Sequence, residues 1–223
     1  MSWDTILLLL LWGTVAGVDL VSLPQGLLGR PIVAGTVAGL LLGDLDAGLR
    51  MGVVFELFAL DVLPVGAARY PDFGPATVAT VVWATGLDWR VGLGPAALLG
   101  LALAWVGGRS MEGLRRANGR RLRLLEPLVD GGDHRALVRL QWMGLAGDAA
   151  RAALLTAAGI GAALLGRVAL TIPAPAGRSL GLVIIAGGLV AALGGAVRRT
   201  PSGSARIWLG LGLAAGLVTV WLA

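Results

Sequence analysis

The chain has 223 residues, of which 57% are hydrophobic and only 14% charged, and its mean hydropathy is +0.83. Soluble domains carry about 25% charged residues, so the composition excludes a soluble globular protein and points to an integral membrane one. With no cysteine and one histidine, His134, neither a thiolate nor a multi-histidine metal site is expected, nor phosphocysteine chemistry; the net charge of +5, all of its basic residues arginine, reads as loop charge that orients spans rather than as a nucleic-acid footprint.

The apolar runs are continuous rather than alternating, which predicts helices and not a barrel. They fall at 5–23, 31–43, 51–68, 74–87, 91–108, 149–170, 180–197 and 207–223. The first, "TILLLLLWGTVAGVDLV", is preceded by Asp4 where a signal peptide would carry basic residues, and is read as a retained helix. The second is shorter than the ~20 residues a crossing helix needs and is interrupted by Gly43-Asp44-Leu45-Asp46. A short apolar piece, a polar break and a second piece bearing carboxylates predict broken or re-entrant helices around residues 31–72. Such backbone is tolerated where protein or a cavity surrounds it, and in transporters it marks the substrate site.

Gly35, Gly39 and Gly43 recur every fourth residue, and Gly48 and Gly52 repeat the spacing. Small residues so placed let helix backbones approach closely, either within the chain or against a second membrane subunit. Further along, Glu56 and Asp61 stand in apolar surroundings, at a cost of ~2.5–3.5 kcal/mol for an Asp at the bilayer centre. Being five apart, they do not share a helix face; a break near Gly52 or Pro64 would gather them around a cavity. Two readings stand side by side. The carboxylates pair with Arg50 or Arg69 to knit helices, or they accept hydrogen bonds from a polar ligand such as a sugar near the bilayer midplane.

Residues 109–148 are the one sizeable polar section, dense in arginine, with a second cluster at Arg198, Arg199 and Arg206. The positive-inside rule assigns both to the cytoplasm and sends the turns at 88–90 and 171–178 outward. Within the basic section Glu112 and Arg116 form an i,i+4 pair, and Trp142 suits the headgroup level. The section reads as a basic loop or arm, either lying on anionic lipid or docking a cytoplasmic partner through Arg115, Arg116, Arg120 and Arg121. The whole chain reads as a single all-α polytopic membrane domain: N-terminal helices over 1–108, the arm over 109–148 and C-terminal helices over 149–223.

The stretch "GRPIVAGTVAGLLLGDLDAGLRMGVVFELFALDVLPVGAARYPDFGPA" resembles the enzyme IIC component of the mannose/fructose/sorbose family of the sugar phosphotransferase system. The matching features are Arg30-Pro31, a small-residue helix, Leu42-Gly43-Asp44, Gly48, Gly52, Glu56, Pro64-Val65-Gly66 and Pro71-Asp72, in that order. Weaker similarity continues through "DHRALVRLQWMGLAGDAARAALL" and "IIAGGLVAALG". The resemblance implies a subunit of the bacterial cytoplasmic membrane that binds a hexose-type sugar and carries it across. It implies an enzyme IID membrane partner, soluble IIA and IIB phosphocarriers, and a homo-oligomer within that complex. Phosphohistidine lies on a soluble subunit, so no catalytic residue, cofactor or metal is expected in this chain. Glu56, Asp61, Asp72 and Asp44 become the candidate sugar-binding carboxylates. The chain stops at Ala223 where family members continue, and Asp61 stands where many have a small residue. A non-transporting sensor and a purely structural membrane subunit therefore stay as alternatives.

Overall fold

The computed structural model describes residues 1–22, 26–62 and 69–199, together with 203, 204, 207, 208, 210–212 and 214. Pro64, Val65, Gly66, Arg206 and most of the segment 207–223 lie outside the described residues. Seven helices follow one another among the described residues: α1 Trp3–Asp19, α2 Pro31–Leu42, α3 Leu45–Ala59, α4 Phe73–Ala84, α5 Trp89–Asp130, α6 His134–Ala169 and α7 Ala174–Arg199.

Local chemistry sets most of the boundaries. Four helices start on a side-chain oxygen that satisfies a first-turn N–H. Ser2 accepts from Thr5 N (3.2 Å), Asp44 from Ala47 N (3.0 Å), Asp88 from Arg90 N (3.0 Å) and Asp133 from Arg135 N (2.9 Å). Pro31 occupies the first position of α2, where its missing N–H costs nothing. Gly43 ends α2 at φ 71°, a left-handed turn that only glycine adopts without strain.

Three boundaries differ from the sequence reading, the smallest difference being that α7 starts at Ala174, inside the turn expected over 171–178. The segment expected at 51–68 begins instead at Leu45, because Asp44 caps a new helix directly after the Gly43 turn, and it runs unbroken through Gly52 to Ala59. The basic section 109–148 is helical on both sides of a short turn at 131–133. At 1.5 Å per residue, α5 and α6 are ~63 and ~54 Å long, against a hydrocarbon core of ~30 Å. Their Arg-rich halves therefore project beyond the core as an antiparallel arm.

Lengths divide the helices into two kinds. Three, α5, α6 and α7, are long and apolar enough to cross a membrane. By contrast α2, α3 and α4, with 12, 15 and 12 residues, are only ~18–22 Å long. Of these, α2 and α3 pair on one face and leave Ile32, Leu40, Leu49 and Val53 exposed, whereas α4 is surrounded by protein. Every residue of α4 is buried, as suits a helix apolar on all sides; its Thr77 and Thr80 hydroxyls bond back to Phe73 O (2.7 Å) and Thr77 O (2.8 Å). The outer faces of α7 present Leu182, Val183 and Val190.

Glycine contacts define how the helices run. A Cβ on Gly35 would lie 2.5 Å from Gly48 O, and one on Gly39 would lie 2.7 Å from Asp44 O and 2.9 Å from Gly48 Cα. The small-residue stripe thus closes the antiparallel α2–α3 pair within this chain and does not face a second subunit. Gly43 belongs to the turn and not to this packing, since nothing lies within 4 Å of its would-be Cβ. Gly13 against Thr156 and Gly17 against Ala152 run α1 antiparallel to α6, while Gly159 against Ala79 and Gly166 against Trp83 run α4 alongside α6. Successive helices therefore alternate in direction. The Trp3 end of α1 lies with the turns at 85–88 and 170–173, and the ends of α1, α3 and α7 lie with the basic arm.

Candidate functional site

At the arm end the short helices stop and two cavities open beside each other. The smaller, about 230 Å³, is lined by Asp19, Arg30, Pro31, Tyr70, Pro71 and Phe73 among others. Asp19, 4% exposed, ends α1 and accepts the N–H groups of Gly26 (2.8 Å) and Gly29 (3.0 Å), fixing the chain that enters α2. Arg30 then reaches Glu56 on α3 as an ion pair. The second Glu56 oxygen accepts from Ile32 N at the start of α2 (3.2 Å), where the helix dipole favours an anion. Ala59 and Val62, flanking the end of α3, supply apolar wall.

Behind this cavity sits a buried charge cluster. Arg151 of α6 donates from Nη1 to Asp72 Oδ2 (2.6 Å) and from Nε to Asp148 Oδ1 (2.9 Å). Asp148 Oδ2 accepts from the Ser22 hydroxyl (2.6 Å), and Asp72 N donates to Ala104 O (2.9 Å). Asp72 and Asp148 are each 1% exposed. The cluster ties the end of α1, the start of α4, and α5 and α6 to one point. Measured along α5 from Trp89, Ala104 is ~22 Å deep, past the middle of a ~30 Å core. The cavity therefore lies toward the basic end and not at the midplane.

The larger cavity, about 710 Å³, is a cleft on the face of α5. Glu112, Arg115, Arg116, Gly119, Arg120 and Arg123 line it at three- and four-residue spacing, which puts them on one helical stripe. Arg69 and Glu112 pair across it (2.7 Å), and Glu112 also holds Arg116. Tyr70, the single tyrosine of the chain, lines both cavities. It is 6% exposed; its hydroxyl accepts from Arg115 Nη2 (2.6 Å), whose guanidinium lies 5.1 Å from the ring centroid.

The four candidate carboxylates do not converge. Neither Glu56 nor Asp72 lines the small cavity: Glu56 reaches it only through its ion pair with Arg30, and Asp72 stands between the lining residues Pro71 and Phe73 with its carboxylate turned to Arg151. Asp61 turns away to pair with Arg198 of α7. Asp44 is at the far end of α3, ~20 Å off, with Oδ1 capping that helix and Oδ2 accepting from Gly86 N (2.8 Å). The pairings proposed with Arg50 and Arg69 are replaced: Arg50 holds Asp46 (2.6 Å) and Arg69 holds Glu112. Of the four arm arginines, Arg115, Arg116 and Arg120 line the cleft, while Arg121 turns to Asn118 Oδ1 (3.0 Å). Sequence reasoning missed Asp19, Tyr70 and Arg123 as site residues, gave Arg69 the wrong carboxylate, and named Asp72 without the Arg151 and Asp148 that cluster with it. Asp19 carried a usable signal, a carboxylate closing an apolar helix, and the cleft was readable as an i, i+3, i+4 pattern once 109–130 is taken as helix.

Residues 3–212 match the family model described as PTS system sorbose-specific IIC component. The chain belongs to this family. It is 39% identical over 104 residues to the fructose permease IIC component of Bacillus subtilis, covering 47% of this chain and 38% of that one. It is 39% identical over 75 residues to the sorbose-specific EIIC component of Klebsiella pneumoniae (34% and 28% of the chains), and 33% identical over 75 residues to the mannose-specific EIIC component of Escherichia coli K12 (34% and 28%). The matched stretches thus span well under half the length of these relatives. Among solved structures, one described as a membrane protein superposes with a TM-score of 0.80 at 21% identity, over 100% of this chain and 92% of that one. The mannose transporter ManYZ in complex with microcin E492 superposes with a TM-score of 0.63 at 21% identity, over 97% and 87%. The IIC chain is accordingly a multi-pass membrane protein, all-helical among the described residues, with the short helices Pro31–Leu42 and Leu45–Ala59 broken at Gly43.

Proposed function

We propose that this IIC chain is the membrane subunit that binds a hexose-type sugar, carries it across the bacterial inner membrane and presents it to a soluble subunit bearing phosphohistidine. The observation that carries this reading is the small cavity among the broken helices. Its apolar wall, with Tyr70 and Phe73, suits a sugar ring face. Polar groups are confined to a few fixed points, as ligand sites require. Glu56 acts on it through Arg30 and Asp72 through the turn between Pro71 and Phe73; Asp61 and Asp44 act at a distance by holding α7 and the α2–α3 turn in place. The likeness to ManYZ, which names a two-protein transporter, supports a second membrane subunit, which we take to be of the enzyme IID type; soluble IIA and IIB carriers and a homo-oligomer within the complex complete the reading. The arm is the side that faces the soluble subunit; of its candidate docking residues Arg115, Arg116, Arg120 and Arg121, the first three turn into the arginine cleft and Arg121 turns to Asn118.

Glu56→Gln tests the cavity. Glutamine keeps the shape but removes the charge that positions Arg30 and the start of α2. A charge-assisted hydrogen bond is worth ~1.5–3 kcal/mol, so sugar affinity is expected to fall about ten- to hundredfold while insertion in the membrane is retained. Equilibrium binding to the assembled complex is the measurement, and an unchanged dissociation constant sinks the assignment.

His134→Ala tests the division of labour. His134 is exposed at the arm tip as the first residue of α6, and the chain holds no second histidine or cysteine to relay a phosphoryl group. Sugar phosphorylation by membranes supplied with the soluble carriers is expected to stay near the unmodified level. Its loss in an assembled complex would make this chain a phosphocarrier.

A further inference from the structure

Five arginines line the 710 Å³ cleft, and one carboxylate faces them: Arg69, Arg115, Arg116, Arg120 and Arg123 against Glu112. The lining therefore carries five positive charges and one negative, a surplus of four. Both Glu112 oxygens are already used, one by Arg69 and one by Arg116. Arg120 and Arg123 have no ion-pair partner among the described residues. Like charges at three- and four-residue spacing on a helix repel, so α5 bears a standing electrostatic cost along this stripe that an anion would relieve. The floor between them is Gly119, with nothing within 4 Å of its would-be Cβ, which keeps the cleft open to backbone depth.

We propose that this cleft is a phosphate-monoester site. Guanidinium forks match phosphate oxygens in pairs, and a monoester dianion offers three such oxygens to several arginines at once. A neutral sugar has no use for four surplus charges. Tyr70 is the wall common to this cleft and the sugar cavity, so a ligand leaving one for the other passes the same ring. On the function proposed above, on which this second step rests, the natural ligand is the phosphorylated form of the sugar held next door. The cleft carries a surplus of four positive charges, whereas the lining of the sugar cavity sets one Asp19 against one Arg30 and has no surplus, so phosphorylation favours transfer of the ligand to the cleft.

The test uses the full-length protein in nanodiscs of zwitterionic lipid, with inorganic phosphate and fructose 6-phosphate as probes, measured by calorimetry alongside neutral mannose, fructose and sorbose. Both phosphate probes are expected to bind, and the Arg120→Ala/Arg123→Ala variant to lose at least about tenfold in affinity for each while binding of the neutral sugars is unchanged. Fructose 6-phosphate is expected to bind more tightly than inorganic phosphate. Absence of phosphate binding, or equal binding by the variant, overturns the site. Phosphate binding blocked in phosphatidylglycerol nanodiscs at the same ionic strength assigns the cleft to a lipid headgroup and overturns the sugar-phosphate ligand. Failure of every neutral sugar to bind, with arginine-dependent phosphate binding intact, sinks the transport reading and leaves the phosphate site standing.

Discussion

Replacing Arg151 by methionine is expected to lower the stability of the purified protein by about 3–5 kcal/mol, the cost of leaving a buried partner charge uncompensated. Among the described residues Arg151 is the one cation that pairs with both Asp72 and Asp148. Without it two carboxylates stand buried side by side, and the junction of α1, α4, α5 and α6 loses its tie. Denaturation of the detergent-solubilised protein, followed by loss of helix signal, measures the effect. The triple variant Asp72→Asn/Asp148→Asn/Arg151→Met removes all three charges and is expected to recover most of the loss, because the desolvation penalty disappears along with the attraction. If the single and triple variants are equally destabilised, packing and not charge makes Arg151 important.

Gly39→Leu is expected to cost about 3 kcal/mol, at the upper end for overpacking a close contact. Its first added carbon already lies 2.7 Å from Asp44 O and 2.9 Å from Gly48 Cα. Those atoms are backbone, so the clash cannot be relieved by a rotamer change; α2 and α3 must separate. Gly113→Ala is the matched control. It lies inside α5 with nothing within 4 Å of the added carbon, and the change is expected to be neutral or to stabilise by up to ~1 kcal/mol. The same denaturation assay reads both. Equal behaviour of the two variants would mean that α2 and α3 are not in intimate contact in the membrane.

Much of the fold was legible because bilayer constraints act on local composition. Continuous apolar runs announce helices, and the shortness of 31–43 followed by Gly43-Asp44 announced a break. Arginine density marked the arm. Its helical character was not legible from hydropathy, since a helix leaving the membrane loses its apolar signal while keeping its hydrogen bonds. The helix was still present in the spacing of Glu112, Arg115, Arg116, Gly119, Arg120 and Arg123.

The candidate site was less legible, and the carboxylates explain why. Asp44, Glu56, Asp61 and Asp72 look alike in sequence, each a charge among apolar residues. Which is a cap, which a helix tie and which a cavity neighbour depends on partners 26 to 137 positions away: Arg30 for Glu56, Gly86 for Asp44, Arg151 for Asp72 and Arg198 for Asp61. Sequence alone determined that this chain lives in a membrane, that its helices break near Gly43, and which family it resembles, because those properties reside in composition and in contiguous motifs. Only the tertiary structure decided that the glycine stripe closes on itself, that Tyr70 lines both a 230 Å³ cavity and an arginine cleft, and that Arg151 pairs with two aspartates. Those facts belong to pairs of residues brought together by helix packing, and the free energy of a buried charge is set by the partner it meets and not by its neighbours in the chain.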